Sequence, residues 1–204
     1  MPYPIEFGLI FRTPQMIDSL KNIISKETQC ALRYDSLNGT LYIDEKGKEA
    51  KCKTVHIAGF NDLLKQGGDY CAFRMPDSKA AHCVFLDSAN KDGILKKPEA
   101  IVFIKKGLAY YALVCEMKSD EYKYDEITEK MKSANCIIEY LGAILNQFYG
   151  IGIGGLQVKI RYLLFSTNVN RLQKQQLSRR DNTDLGQKVK PLLCSIRHEL
   201  GSLL

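Results

Sequence analysis

An α/β fold, with a central mixed sheet flanked by helices, is predicted by three features of the sequence. From Tyr124 to Tyr149 the residues Ile127, Met131, Ala134, Ile138, Leu141, Leu145 and Phe148 recur every three or four positions, the spacing of one buried helix face, and Gly150 can end the run. Two strand-like runs precede it, one opening at Lys97-Pro98-Glu99 and continuing Ala-Ile-Val-Phe-Ile, the other spanning Leu108 to Lys118. Lys105-Lys106-Gly107 joins them as a hairpin. A third run, Gln157 to Phe165, alternates and then turns wholly apolar, as a strand covered on one or both faces does. An apolar helical stripe as long as that of 124–149 packs on a sheet.

The remaining elements follow in order. Thr13 as N-cap, Pro14 in the first turn and the stripe Met16, Ile17, Leu20, Ile23 and Ile24 predict a helix over about 13–27. Short runs at 31–35, 40–44 and 52–57, punctuated by Asn38-Gly39 and Lys46-Gly47, predict a small β-meander. Asn61 to Gln66 reads as one or two helical turns stopped by Gly67-Gly68, and Ala81 to Leu86 as a strand. Arg171 to Ser178 and Gln187 to Leu200 read as helices separated by a loop at 179–186. Residues 1–204 form one domain, with the meander of 30–60 as an elaboration and 157–204 as a basic C-terminal region.

Composition narrows the class. With 45% hydrophobic and 25% charged residues the 204-residue chain carries enough apolar material for one sizeable core, which excludes a disordered chain. Seven cysteines (30, 52, 71, 83, 115, 136 and 194) form no Cys-X-X-Cys pair, so neither zinc nor a disulfide framework is indicated. Cys83, Cys115 and Cys136 lie in apolar runs as small hydrophobes, in keeping with a reducing compartment. No apolar stretch reaches the ~20 residues that span a bilayer, and the first residues lack a signal-peptide pattern; the expectation is a cytoplasmic protein without membrane contact. Net charge is +6, and the segment 157–204, with nine basic and three acidic residues, carries all of that excess. A basic region of this kind suits nucleic acid, or is a solvated face.

Chemistry concentrates at Glu116-Met117-Lys118. Strand side chains alternate, so Glu116 and Lys118 share a face while Met117 points away. Glu99, at the start of the paired strand, supplies a second carboxylate. Two carboxylates can hold Mg²⁺ or Mn²⁺ with retained waters and phosphate oxygens, and Lys118 can orient a water or steady a phosphate. The bland alternative is an ordinary solvated acid-base pair at a strand end. Lys130 and Lys132, early on the long helix, are either phosphate contacts or a solvated face shared with Glu126 and Glu129. His56, His82 and His198 have no metal-ligand spacing. The glycines at 150, 152, 154 and 155 follow a helix and precede a strand, the reverse of a phosphate-cradling loop.

Helix, hairpin with a Pro-acid on its first strand and Glu-X-Lys on its second, long amphipathic helix, strand and basic helix follow one another as in the core of the restriction-endonuclease-like nucleases. Over about residues 90–178 the chain resembles the PD-(D/E)XK superfamily. That resemblance implies a restriction-endonuclease-like fold and a metal-dependent endonuclease that cuts phosphodiester bonds, with DNA favoured over RNA. It implies that Glu99 and Glu116 bind Mg²⁺ or Mn²⁺, that Met117 contributes its backbone carbonyl, and that Lys118 assists the attacking water. The family places aspartate after the proline where this chain has Glu99; Asp77 of Pro76-Asp77 and Asp87 are the other candidates for that acid, and Asp87 can instead serve as an accessory metal ligand. Family members also use an acid of the first helix, which here is Asp18 or Glu27. Lys130, Arg171, Lys174, Arg179 and Arg180 are the expected nucleic-acid contacts, and the meander is expected to serve specificity or homodimer formation. A nuclease-fold protein that binds nucleic acid or a protein partner without cutting is the alternative.

Overall fold

The computed structural model describes residues 16–45, 47, 49–75, 94, 96–119, 122–151, 158–178 and 188–204. In chain order they form α1 (Met16–Ile23), α2 (Lys26–Cys30), β1 (Arg33–Asp35), β2 (Thr40–Asp44), β3 (Thr54–Ala58), α3 (Phe60–Lys65), β4 (Asp69–Arg74), β5 (Ala100–Lys106), β6 (Ala109–Lys118), α4 (Tyr124–Tyr149), β7 (Val158–Ser166), α5 (Val169–Ser178), β8 (Val189–Leu193), β9 (Arg197–Glu199) and α6 (Leu200–Leu203). The protein is α/β, with two mixed sheets.

Five strands make the central sheet, in the order β4-β5-β6-β7-β8. β4, β5 and β6 run antiparallel to one another in turn, and the β5–β6 hairpin turns through Gly107-Leu108, where Gly107 takes the positive φ (+59°) that the first position of a two-residue turn demands. β7 lies parallel to β6, and β8 parallel to β7. A parallel neighbour needs a crossover, and α4 supplies it between β6 and β7. The smaller sheet has the order β1-β2-β3-β9, antiparallel except for the β3–β9 pair.

Both faces of the central sheet are covered. On one, Ile101, Phe103, Ala112, Val114 and Leu164 pack against Met16, Ile17 and Leu20 of α1 and Ile127, Met131, Ala134 and Ile138 of α4. On the other, Val102, Ile104, Leu113, Cys115, Met117, Leu163 and Phe165 meet Leu41, Ile43, Val55 and Ile57 of the small sheet, Phe60 and Leu63 of α3, and Leu200 and Leu203 of α6. This double cover is why β5 reads as an unbroken apolar run rather than an alternation. Each of the Val, Leu, Ile, Phe and Met side chains among them, removed from water, contributes about 1.5–3 kcal/mol.

Several expected boundaries shift for identifiable reasons. The single helix over 13–27 divides at Ser25, whose backbone (φ −58°, ψ 141°) is not helical and whose Oγ accepts the Thr28 N–H of α2. Gln29 closes the end of α1 from the side, its amide donating to the carbonyls of Lys21 (2.9 Å) and Ile24 (2.7 Å). Thr13 and Pro14, and the strand expected at 81–86, lie outside the described residues. The helix expected at 187–200 is instead β8, β9 and the short α6. Pro191 cannot donate to a ladder, yet β8 is an edge strand bonded on one side to β7, where a proline is tolerated. α4 has the expected limits, but its buried line passes from Leu145 to Tyr149, leaving Phe148 78% exposed. Cys136 also faces outward, against the expectation for an apolar run, whereas Cys115 is buried. Tyr122 and Tyr124 are buried in the core, which accounts for them as packing residues.

Candidate functional site

Alternation along β6 sorts the Glu-X-Lys residues as expected. Met117 enters the core on the small-sheet side. Glu116 and Lys118 take the other face, under the first turns of α4, which carry Glu126, Glu129 and Lys130. The register of β6 on β7, Glu116 opposite Leu164 and Lys118 opposite Ser166, puts both at the end of the ladder.

Glu116 is fully buried. Its Oε1 lies 2.5 Å from Lys130 Nζ and 3.7 Å from Lys118 Nζ. Oε2 is buried and has no hydrogen-bond partner among the described residues. Burial raises the carboxyl to a pKa of about 7, against the pull of Lys130 and Lys118, with Glu99 pushing in the same direction as burial. Lys118 points its ammonium at Glu126 Oε1, 2.6 Å away. Burial works against the Lys118 charge, but Glu116 and Glu126 outweigh it and hold its pKa above the ordinary lysine value. The same contact, aided by Lys130 and Lys96, overcomes the burial of Glu126 and holds its carboxyl below the usual range. Lys96 in turn pairs with Glu129. Thus the end of β6 and the first two turns of α4 are joined by interlocking ion pairs.

Glu99 sits just before β5, its N–H donating to the Cys115 carbonyl (2.9 Å). Its carboxylate accepts from Arg74 Nη2 at 2.8 Å. The Arg74 side chain is 5% exposed, and its other terminal nitrogen donates to the Asp44 carbonyl at the end of β2, so one guanidinium ties the small sheet to Glu99. Burial, reinforced by Glu45 just beyond β2, raises the Glu99 pKa, with Arg74, Lys130 and Lys118 acting against it. Glu99 and Glu116 therefore share one electrostatic neighbourhood, and Glu45 borders it. Sequence reasoning missed Glu45, which follows β2 of the small sheet, and Arg74, which ends β4 of the central sheet beside Glu99.

The other expected site residues are spread more widely. Lys130 belongs to the site, while Lys132 is exposed. Asp18 and Glu27 are exposed, and neither is among the principal charges acting on Glu99 or Glu116. Arg171 falls within α5, on which Lys174 is exposed. Asp77, Asp87, Arg179 and Arg180 lie outside the described residues. Among the described residues, no basic side chain of 157–204 is among the principal charges acting on Glu116. Lys159 and Arg161 pair in register with Tyr111 and Leu113 and share the face of Leu163 and Phe165, the side of the sheet opposite Glu116; Lys190, beside Leu163, reaches the Ser202 carbonyl there.

A metal would find two carboxylates here, one with a bare buried oxygen. That orphaned Oε2 and the raised pKa values of Glu99 and Glu116 fit a pair of acids that accepts a further cation. Among the described residues, no three His, Cys, Asp or Glu side chains form a metal-binding group, and no helix is long and apolar enough to cross a membrane. Comparison of the chain with protein-family models, with curated proteins and with solved structures found no match.

Proposed function

We propose that the protein is a metal-dependent phosphodiesterase of the restriction-endonuclease-like class, acting on nucleic acid, with DNA favoured over RNA. The observation that carries this reading is Glu116, buried at the end of a central strand with one oxygen bare, two lysines on the other and Glu99 in its field. The order of elements supports it: α1, three antiparallel strands β4–β6, α4, then β7 parallel to β6, as in the family that the sequence resembles. Glu99 and Glu116 would hold Mg²⁺ or Mn²⁺, with the Met117 carbonyl and Asp87 as further ligands. The ion supplies a water of lowered pKa and neutralises charge that develops on the phosphate. Lys118 orients the attacking water. Lys130 contacts the scissile phosphate, and Arg171, Lys174, Arg179 and Arg180 contribute charge toward the polyanion.

Cleavage of supercoiled and linear DNA with Mg²⁺ or Mn²⁺ tests the proposal. Wild-type protein cuts; Glu116→Ala and Lys118→Ala, both folded by circular dichroism, do not. Undiminished cutting by both variants overturns the assignment.

One observation favours a second reading, a non-cutting protein of this fold that binds nucleic acid. Lys118 and Lys130 are each already engaged by a carboxylate of the protein, which leaves the cations neutralised from within. Such a protein shows salt-sensitive DNA affinity with no dependence on divalent metal, whereas the nuclease binds Mn²⁺ through Glu116.

A further inference from the structure

We infer that Lys130 is an exchangeable internal cation: it holds Glu116 as seen here, and passes to a phosphate of the polyanion once a divalent cation takes the carboxylate. The inference rests on the metal-dependent reading above and assigns Lys130 a role in loading the site.

The asymmetry of the Glu116 carboxylate is the first ground. A carboxylate has about four acceptor positions, and a buried ion pair kept only for structure fills them on both oxygens. Here both lysines crowd Oε1 and Oε2 is left bare. The second ground is the division of labour between the lysines. Lys118 is committed to Glu126 at 2.6 Å and only grazes Glu116 at 3.7 Å, so the short contact belongs to Lys130 alone. Repulsion supplies the third. An ammonium 2.5 Å from Oε1 and a dication on the same carboxylate would stand a few ångströms apart in a water-poor site, where like charges strongly oppose one another. Binding of the dication therefore favours departure of Lys130.

Where the ammonium goes is set by its surroundings. The other acids on this part of α4 are taken, Glu126 by Lys118 and Glu129 by Lys96. A flexible four-carbon stem with its side chain 14% exposed can swing outward without unfolding the helix, which a fixed guanidinium fork could not do as readily. A phosphate brought to the metal is the anion that then lies within its reach.

The test uses the full chain and two readouts that need no turnover. Mn²⁺ binding, followed from the electron paramagnetic resonance signal of the free ion at about pH 8.5, is compared for wild type, Glu116→Gln, Lys130→Met and Lys130→Gln. Affinity for a short DNA duplex is measured in Ca²⁺ across a range of salt. Removing the competing ammonium tightens Mn²⁺ binding about three- to tenfold, and loss of one phosphate contact lowers the salt slope by about one. Lys130→Gln keeps a hydrogen-bond donor and serves if Lys130→Met does not fold. Should Mn²⁺ bind through Glu116 while either the Mn²⁺ affinity or the salt slope is the same in the Lys130 variants, the exchange is overturned and the metal site stands. Should Mn²⁺ bind equally to wild type and Glu116→Gln, or to neither, the metal site falls and the exchange with it.

Discussion

Replacing Glu116 by glutamine removes a buried carboxyl whose pKa is raised to about 7, and this has a calculable effect on stability as a function of pH. The ordinary value is 4.5, so the folded protein binds this proton more tightly than the unfolded chain by roughly 2.5 pH units. At about 1.36 kcal/mol per unit, the stabilisation amounts to about 3 kcal/mol. Its sign follows from the direction of the shift. The contribution is complete below about pH 4.5, where both states are protonated, and is lost as pH rises through about 7, where burial must be endured by the anion. Urea denaturation of wild type and Glu116→Gln in the presence of a chelator, at intervals from about pH 4.5 to 8.5, reads the effect of Glu116 together with its coupling to Glu99, because titrations remote from the site cancel in the difference. Relative to the variant, wild type loses about 3 kcal/mol across that range. A difference that stays flat, or that grows in favour of wild type as pH rises, refutes the argument that desolvation dominates over the two lysines.

Arg74→Met leaves Glu99 without its guanidinium and costs about 3 kcal/mol in urea denaturation, while adding Glu99→Gln restores part of that loss, as a double-mutant cycle shows. Phe165→Ala empties a fully buried position between the two sheets and destabilises by about 3–5 kcal/mol, measured the same way. Gly39→Ala places a Cβ 2.6 Å from the Asn61 backbone nitrogen on a residue with φ +57°, and lowers the thermal midpoint through a loss of at least about 1 kcal/mol.

Much of the site's framework could be read from local pattern. Two-residue periodicity placed Glu116 and Lys118 together and sent Met117 elsewhere, and the 3.6-residue periodicity of 124–149 placed a helix above them. Ion pairing was not legible in the same way. Lys130 sits among Glu126 and Glu129, where a surface helix face is the ordinary reading, and only the crossing of α4 over β6 turns it toward Glu116. Arg74 ends a strand with no motif around it; its meaning depends on β2 and Glu99 arriving at either side. At 189–199 the helical reading failed because Val189, Leu192 and Leu193 fit either period, and the proline that argued against helix had a place only once β8 was known to be an edge. The basic excess of the last 48 residues was a sum over sequence, and the sheet sends Lys159 and Arg161 to the face opposite Glu116.

Pairing of β3 with β9 joins residues 56–58 to 197–199, the longest-range strand contact among the described residues. A ribosome therefore delivers the meander long before its fourth strand, whereas β5, α4 and β7 emerge close together and can assemble as soon as they appear. Until β9 arrives, Ile57 and its neighbours offer an unpaired strand edge and one half of an apolar interface. β9 thus acts as a late seal on a sheet whose other three strands are made early, and the Arg74 strut that runs from that sheet to Glu99 is secured only once β9 is in place.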